Sequence, residues 1–341
     1  MQTAWLCLGA VLLDQLFGEP RRWHPLAGFV KWARWVEVHL YGATAAKDPI
    51  RQERGIAALI ILLVPPVWVV HVLANVPLLG LAVSWGVLYL AISARGLCHC
   101  AEAVEMALQM ADLPQARERL AMMVSRDTDD LDEEQLSRAT VECVLKNGCD
   151  TVLGILFWFI VAGVPGVVLY RLANILDAMW GYRTPRYSEF GWSAARLDDV
   201  LNWFPARLTA LGYRLTGCQW TCVRRGWMSY RWVRIWHDWR RHGVMWKARD
   251  WKIVWKKLRW TLLKSDIWTS PNSDWLIAAG AGALHLALGG SARYLGEWTA
   301  RPALGDGLAT RAEDIPRAVY LLRWTLGMWL VLIVLGGWAF A

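Results

Sequence analysis

The sequence predicts an all-α, polytopic integral membrane protein with about four to five membrane helices, a re-entrant hairpin at 152–170 and large helical cytoplasmic loops. Three observations predict it. The 341-residue chain is 56% hydrophobic and has a mean hydropathy of +0.25, both unlike an ordinary soluble domain. Segments 56–74 and 76–94 contain no Asp, Glu, Lys or Arg, and each approaches the roughly 20 residues of a bilayer crossing. The net charge of +8 is carried between apolar stretches rather than in a separate basic domain, which favours anionic lipid as a partner over nucleic acid.

The elements follow in order. Gln2 to Phe17 is apolar apart from Asp14. It lacks a basic start and a small-residue cleavage site, so it reads as a span rather than a signal peptide. Loop 18–55 carries Arg21, Arg22, Lys31, Arg34, Lys47, Arg51 and Arg54, which places it in the cytoplasm and the tight 74–77 turn outside. Segment 101–147 is polar and splits into helical patterns at 101–111, 113–123 and 131–145. The motif Ser125-Arg126-Asp127-Thr128 precedes the third, and Asp129, Asp130 and Asp132 suit its N-terminus.

A full crossing at 152–170 conflicts with the charge rule, because it exports the basic segment 171–275. Gly163-Val164-Pro165-Gly166 interrupts that stretch, and a broken helix shielded by protein can enter and leave on one side. The re-entrant reading is therefore preferred to a Pro-kinked span. Segment 218–264 sets Trp232, Trp236, Trp239, Trp251 and further Trp among Arg and Lys, the pattern of an amphipathic insertion lying at the membrane surface. The small-residue stretch 278–290 is short for a span and suits close helix packing. Leu321 to Ala341 supplies the last crossing, with Arg323 snorkelling. The whole of 1–341 is one membrane-embedded domain. The seven cysteines are odd in number and form no paired CxxC motifs, which argues against a disulfide framework or zinc.

Chemistry concentrates between Tyr170 and Arg207. If 196–202 is helical, Asp198 and Asn202 share a face while Asp199 points about a quarter turn away. Two oxygens can then meet one hard cation, and Mg2+ takes one or two carboxylates with phosphate and water. Arg183 and Arg207 are forks for phosphate, and Asp177 adds a carboxylate. No Walker A loop or GxGxxG fingerprint is present.

Taken together, Asp14-Gln-Leu-Phe-Gly-Glu-Pro20 with His24-Pro25, Ser125-Arg126-Asp127-Thr128, Asn174-Ile-Leu-Asp177 with Gly181-Tyr182-Arg183, Ala195-Arg-Leu-Asp-Asp-Val-Leu-Asn202 with Pro205-Ala-Arg207, and Ser270-Pro-Asn-Ser273 resemble the adenosylcobinamide-phosphate synthase family of cobalamin biosynthesis, CobD or CbiB. The resemblance runs in order from about residue 10 to 320. It implies an enzyme of the bacterial inner membrane, its site facing the cytoplasm, that joins an amino-alcohol phosphate to adenosylcobyric acid through an amide, with ATP and Mg2+. Carried over, it implies metal roles for Asp198, Asp199 and Asn202, phosphate or substrate roles for Arg126, Arg183, Arg207, Ser270 and Asn272, and acid–base roles for Asp127, Glu142 and Asp177. An AmpE-like membrane regulator without ligase activity is the rival. The chain departs from the family pattern at Lys146-Asn147, where Glu-Asn is usual, and in the length of 218–264.

Overall fold

The computed structural model describes residues 1–20, 25–42, 50–77, 79–182, 184, 186–223, 271–294, 296–299, 301–305 and 307–339. His24, Arg183, Ser270 and the Trp-rich segment from 224 onward lie outside the described residues.

Four described helical segments are long and apolar enough to cross a membrane: Ile50–Ala74, Leu79–Gln109, Glu133–Trp180 and Asp314–Ala339, with Gln2–Phe17 shorter but apolar. Their outward faces carry Ile60, Val64, Trp68, Val331, Leu335 and Trp338, as lipid-facing surfaces do. Helix α1 (Gln2–Phe17) runs parallel to α4 (Leu79–Ala91). Midway along both helices Gly9 abuts Trp85. At their C-terminal ends the Tyr89 hydroxyl donates to the Gly18 carbonyl (2.7 Å) and Arg95 donates to the Leu16 carbonyl (2.6 Å). The sequence reading of 76–94 as one span is modified: the helix breaks at Ile92-Ser93 and resumes as α5 (Ala94–Gln109). Between α1 and α4 in sequence lie α2 (Pro25–Leu40) and α3 (Ile50–Ala74). After α5 come α6 (Leu113–Ala121), capped by Asp112, and α7 (Glu133–Gly148), opened by a capping box of Asp132 with Gln135.

The centre of the fold is a helical hairpin. Helix α7 passes through a single π-turn, Cys149–Leu153, into α8 (Gly154–Trp180), which is broken at Gly163 with φ 62° and ψ −153°. That backbone region is open essentially to glycine alone, and Pro165 cannot continue the ladder behind it. The chain folds back there. A Cβ on Gly154 would collide with the Tyr170 hydroxyl, and one on Gly166 would meet the Trp158 carbonyl, contacts that a straight helix of this length excludes because 16 residues span about 24 Å. Both ends of the hairpin therefore lie on one side, as the preferred reading of 152–170 expects. The Ser93 N–H donates to the Thr151 carbonyl (3.2 Å), fixing the hairpin's base beside the α4–α5 break.

Helix α9 (Trp192–Leu201) leads into α10 (Trp203–Val223). Helix α11 (Pro271–Leu284) packs on α10, and α12 (Asp314–Ala339) closes the bundle. The Met1 ammonium donates to the Gly337 carbonyl (3.3 Å), so α12 runs antiparallel to α1. Arg323 does not snorkel alone; it pairs with Glu102 at 3.1 Å. The small-residue stretch 278–290 is only partly helical. Helix α11 stops at Leu284, and Gly289 and Gly290 adopt φ 78° and 84°, values that favour glycine and end a helix. Two short hairpins follow: β1 (Leu288–Gly289) with β4 (Ala303–Leu304), and β2 (Ala292–Tyr294) with β3 (Glu297–Thr299). Cys7, Cys98, Cys100, Cys143 and Cys149 are free thiols.

A second core joins α2 and α3 to the second hairpin arm through Phe29, Leu62, Leu176, Trp180 and Phe190. Buried Glu37 accepts from Trp180 Nε1 (3.0 Å), Arg186 Nη2 (2.7 Å) and the Tyr187 hydroxyl (2.9 Å). Those bonds anchor the loop that connects α8 to α9.

Candidate functional site

A cavity of about 560 Å3 opens between α7, the second hairpin arm, the 122–126 loop, the start of α11 and the β segment. Its floor is set by helical spacing. Glu142, Lys146 and Asp150 recur every four residues along an otherwise apolar stretch, so one face of the first arm is polar. The fold-back at Gly163 then sets Asn174 and Asp177 of the second arm against Asp150 and Lys146. Asn174 faces the Asp150 carboxylate, and Lys146 stands among the carboxylates of Asp150, Asp177 and Asp198. The π-turn begins within one residue of Asp150, a placement frequent at functional sites.

At the other end of the stripe, Glu142 gathers cations. Its Oε2 accepts from Arg126 Nη2 (2.9 Å) and Arg301 Nη1 (3.1 Å), and its Oε1 accepts from the Gly289 N–H (2.8 Å). The three side chains are almost wholly buried, at 4% exposure for Glu142 and 11% for each arginine. Burial works against the Arg301 charge, yet the neighbouring Glu142 carboxylate raises its pKa above the ordinary value. The cavity thus has a cationic end and an acidic end on one helix face.

Of the residues expected to act, Arg126, Glu142 and Asp177 line this cavity. Asp198 lies next to it, buried, accepting from Asn174 Nδ2 (3.3 Å) and Asn202 Nδ2 (3.1 Å). Asn202 in turn accepts from the Tyr170 hydroxyl (2.6 Å). Burial raises the Asp198 pKa, while Lys146, Asn202 and Asn174 pull it back. Asp199 is separated from that pair and faces Arg196 at 3.8 Å, the quarter-turn divergence that helical spacing expects. Arg207 stacks on Trp203 at 4.2 Å and donates to Asn272 Oδ1 (3.0 Å), whose Nδ2 donates to the Asp199 carbonyl (2.8 Å). Burial lowers the Arg207 pKa to about 10. Asp127 stands outside the cavity lining: it accepts from the Gly296 N–H (2.7 Å) and holds the β2–β3 turn. Arg183 and Ser270 are outside the described residues.

Sequence reading assigned no role to Asp150, Asn174 or Arg301. The first two were legible in principle, because a four-residue polar stripe on an apolar helix is a signal and Gly163 marks the fold point. Arg301 carried no local signal; only the pairing of β1 with β4 brings it to Glu142.

No three His, Cys, Asp or Glu side chains among the described residues form a ready-made metal cage. The acidic end supplies hard oxygen donors from Asp150 and Asp177 facing open space, a set that fits Mg2+ completing its shell with phosphate and water rather than a closed protein site.

A family profile described as "CobD/Cbib protein" matches residues 7–322. A relative from Chromobacterium violaceum named "Cobalamin biosynthesis protein CobD" is 47% identical over 97% of this chain and 95% of its own length. One of the same name from Stutzerimonas stutzeri is 43% identical over 98% of each. "Cobalamin biosynthesis protein CbiB" of Salmonella arizonae is 31% identical over 94% of this chain and 92% of its own. No solved structure matches. Shared along almost its entire length with these proteins, the chain belongs to the CobD/CbiB family of cobalamin biosynthesis.

Proposed function

We infer that this protein forms an amide bond between adenosylcobyric acid and an amino-alcohol phosphate such as aminopropanol phosphate, driven by ATP, at a site on the cytoplasmic side of the bacterial inner membrane. The observation that carries the reading is the two-ended cavity, with Arg126 and Arg301 around Glu142 at one end and Asp150 and Asp177 around Lys146 at the other. Both substrates bear anions, and one also bears an ammonium group. A cavity with separate cationic and acidic ends suits that combination.

The reaction requires an inert carboxylate to become an acyl donor. In the proposed course a carboxylate oxygen attacks the γ-phosphorus of ATP, giving an acyl phosphate and ADP. The amine lone pair then attacks the carbonyl carbon. A C–N bond forms, the C–O bond to phosphate breaks, and phosphate leaves with that electron pair. Mg2+, when bound, supplies neutralisation of phosphate charge, and Asp177 and Asp150 are the residues that would hold it. Lys146 disfavours a second ammonium beside it, which promotes loss of the amine proton, and a carboxylate of the acidic end takes that proton. The hairpin's open end shares a side with the basic loops, which supports access to cytoplasmic nucleotide.

The test is product formation by purified, membrane-inserted protein given adenosylcobyric acid, aminopropanol phosphate, ATP and Mg2+, read by mass spectrometry. It is paired with restoration of corrinoid synthesis from cobyric acid in a strain lacking this step. Absence of product from well-folded protein in both settings overturns the reading in favour of a regulatory membrane protein.

A further inference from the structure

Resting on that reading, we propose that Arg126 and Arg301, held by Glu142, form the subsite for the phosphate of the amine substrate, leaving the nucleotide to the acidic end. Arg301 is the new element: it comes from the β segment, 159 positions from Glu142 along the chain.

Three observations carry the assignment. First, the two guanidiniums converge on one carboxylate oxygen and line the cavity, with Asp274 a further acid near Arg301. Two guanidinium forks presented together at one cavity wall match phosphate geometry. Second, the acidic end is richer in carboxylates: Lys146 and Arg171 face Asp150, Asp177 and Asp198. It requires a cation and repels an uncomplexed phosphate, so a metal-chelated nucleotide fits there and a bare phosphomonoester does not. Third, the spacing suits the substrate. Glu142 to Asp150 is eight residues of helix, about 12 Å, with Lys146 about 6 Å along. A phosphate seated on the arginines puts an amine two carbons away near Lys146 and Asn147, facing the acidic end where the acyl group is activated. Glu142 is a positioning residue in this scheme, fixing both forks and, through the Gly289 N–H, the strand that delivers Arg301.

The test uses the full chain in lipid nanodiscs and the variants Arg301→Gln, Arg126→Gln and Arg301→Lys. Calorimetric binding of aminopropanol phosphate, without nucleotide, is compared with binding of unphosphorylated aminopropanol. In parallel, KM is measured for aminopropanol phosphate and for ATP. Loss of one charge-assisted contact should weaken aminopropanol phosphate about 10- to 100-fold in Kd and KM, leave the KM for ATP within about twofold, and be partly rescued by Arg301→Lys. A rise in the KM for ATP with that for the amine unchanged overturns the proposal. So does wild-type protein that binds the phosphorylated and unphosphorylated amines equally. Because the binding arm needs no turnover, a wild-type chain that binds aminopropanol phosphate through Arg301 but makes no amide would sink the proposed reaction while sustaining this subsite.

Discussion

Glu142→Gln distinguishes a clamp from an acid–base group. The carboxylate is 4% exposed and joins two guanidiniums that are each 11% exposed. Glutamine keeps the shape and one acceptor, so the Gly289 N–H bond survives, but the counter-charge is lost. Breaking a buried ion pair typically costs about 3–5 kcal/mol. The residual exposure of the two arginines at the cavity wall lowers that here to about 2–3 kcal/mol, roughly a 30- to 150-fold change in the folded-to-unfolded ratio. Glu142→Ala also strands the Gly289 N–H, adding about 1–2 kcal/mol. Denaturant titration in detergent micelles, followed by tryptophan fluorescence and circular dichroism, should rank the proteins wild type, Gln, Ala in falling stability. If both variants stay within about 0.5 kcal/mol of wild type while turnover disappears, the clamp is refuted and Glu142 is a reacting group.

Four other outcomes are expected. Asp177→Asn and Asp150→Asn should each reduce amide formation at least about 100-fold with normal membrane insertion; near-normal turnover removes both from the proposed site. Asp198→Ala should destabilise by about 1–3 kcal/mol through its stranded amide partners, against less than about 0.5 kcal/mol for Asp199→Ala, and equal costs would contradict the divergence seen in α9. Because the folded-state pKa of Asp198 lies above the ordinary 3.8, its contribution to stability is complete below that value and is lost as pH rises through the folded pKa. The stability of Asp198→Asn relative to wild type should therefore climb as pH rises from the ordinary Asp range through the folded pKa; a pH-independent offset speaks against it. Gly163→Ala should lower stability by about 1–3 kcal/mol because its backbone conformation excludes a Cβ, whereas Gly86→Ala, with nothing near the added carbon, should be close to neutral.

The spans were legible because lipid demands long apolar helices, a demand met by 56–74 and, apart from Arg323 near its start, by the C-terminal segment. The fold-back was legible from Gly163 and Pro165 together with charge on both flanks. The departure at 278–290 was hidden because Ala and Gly report close packing in either a helix or a turn, and the positive φ at Gly289 and Gly290 emerges only when β1 meets β4. In the candidate site, helical spacing correctly separated Asp198 from Asp199. It could not show that Lys146, read as an exchange away from the family pattern, faces three carboxylates, since that contact requires both hairpin arms. Arg301 depends on a pairing between strands 14 residues apart and carried no periodic mark.

The bond between Met1 and Gly337 carries a consequence for counting. Two chain ends that touch must emerge in the same compartment, so the number of complete crossings has to be even. Among the described residues α1, α3, the α4–α5 segment and α12 give four, and the central hairpin, returning to the face it left, adds none. Reporter enzymes fused at either terminus should consequently light up together or stay dark together, whichever way the bundle is inserted.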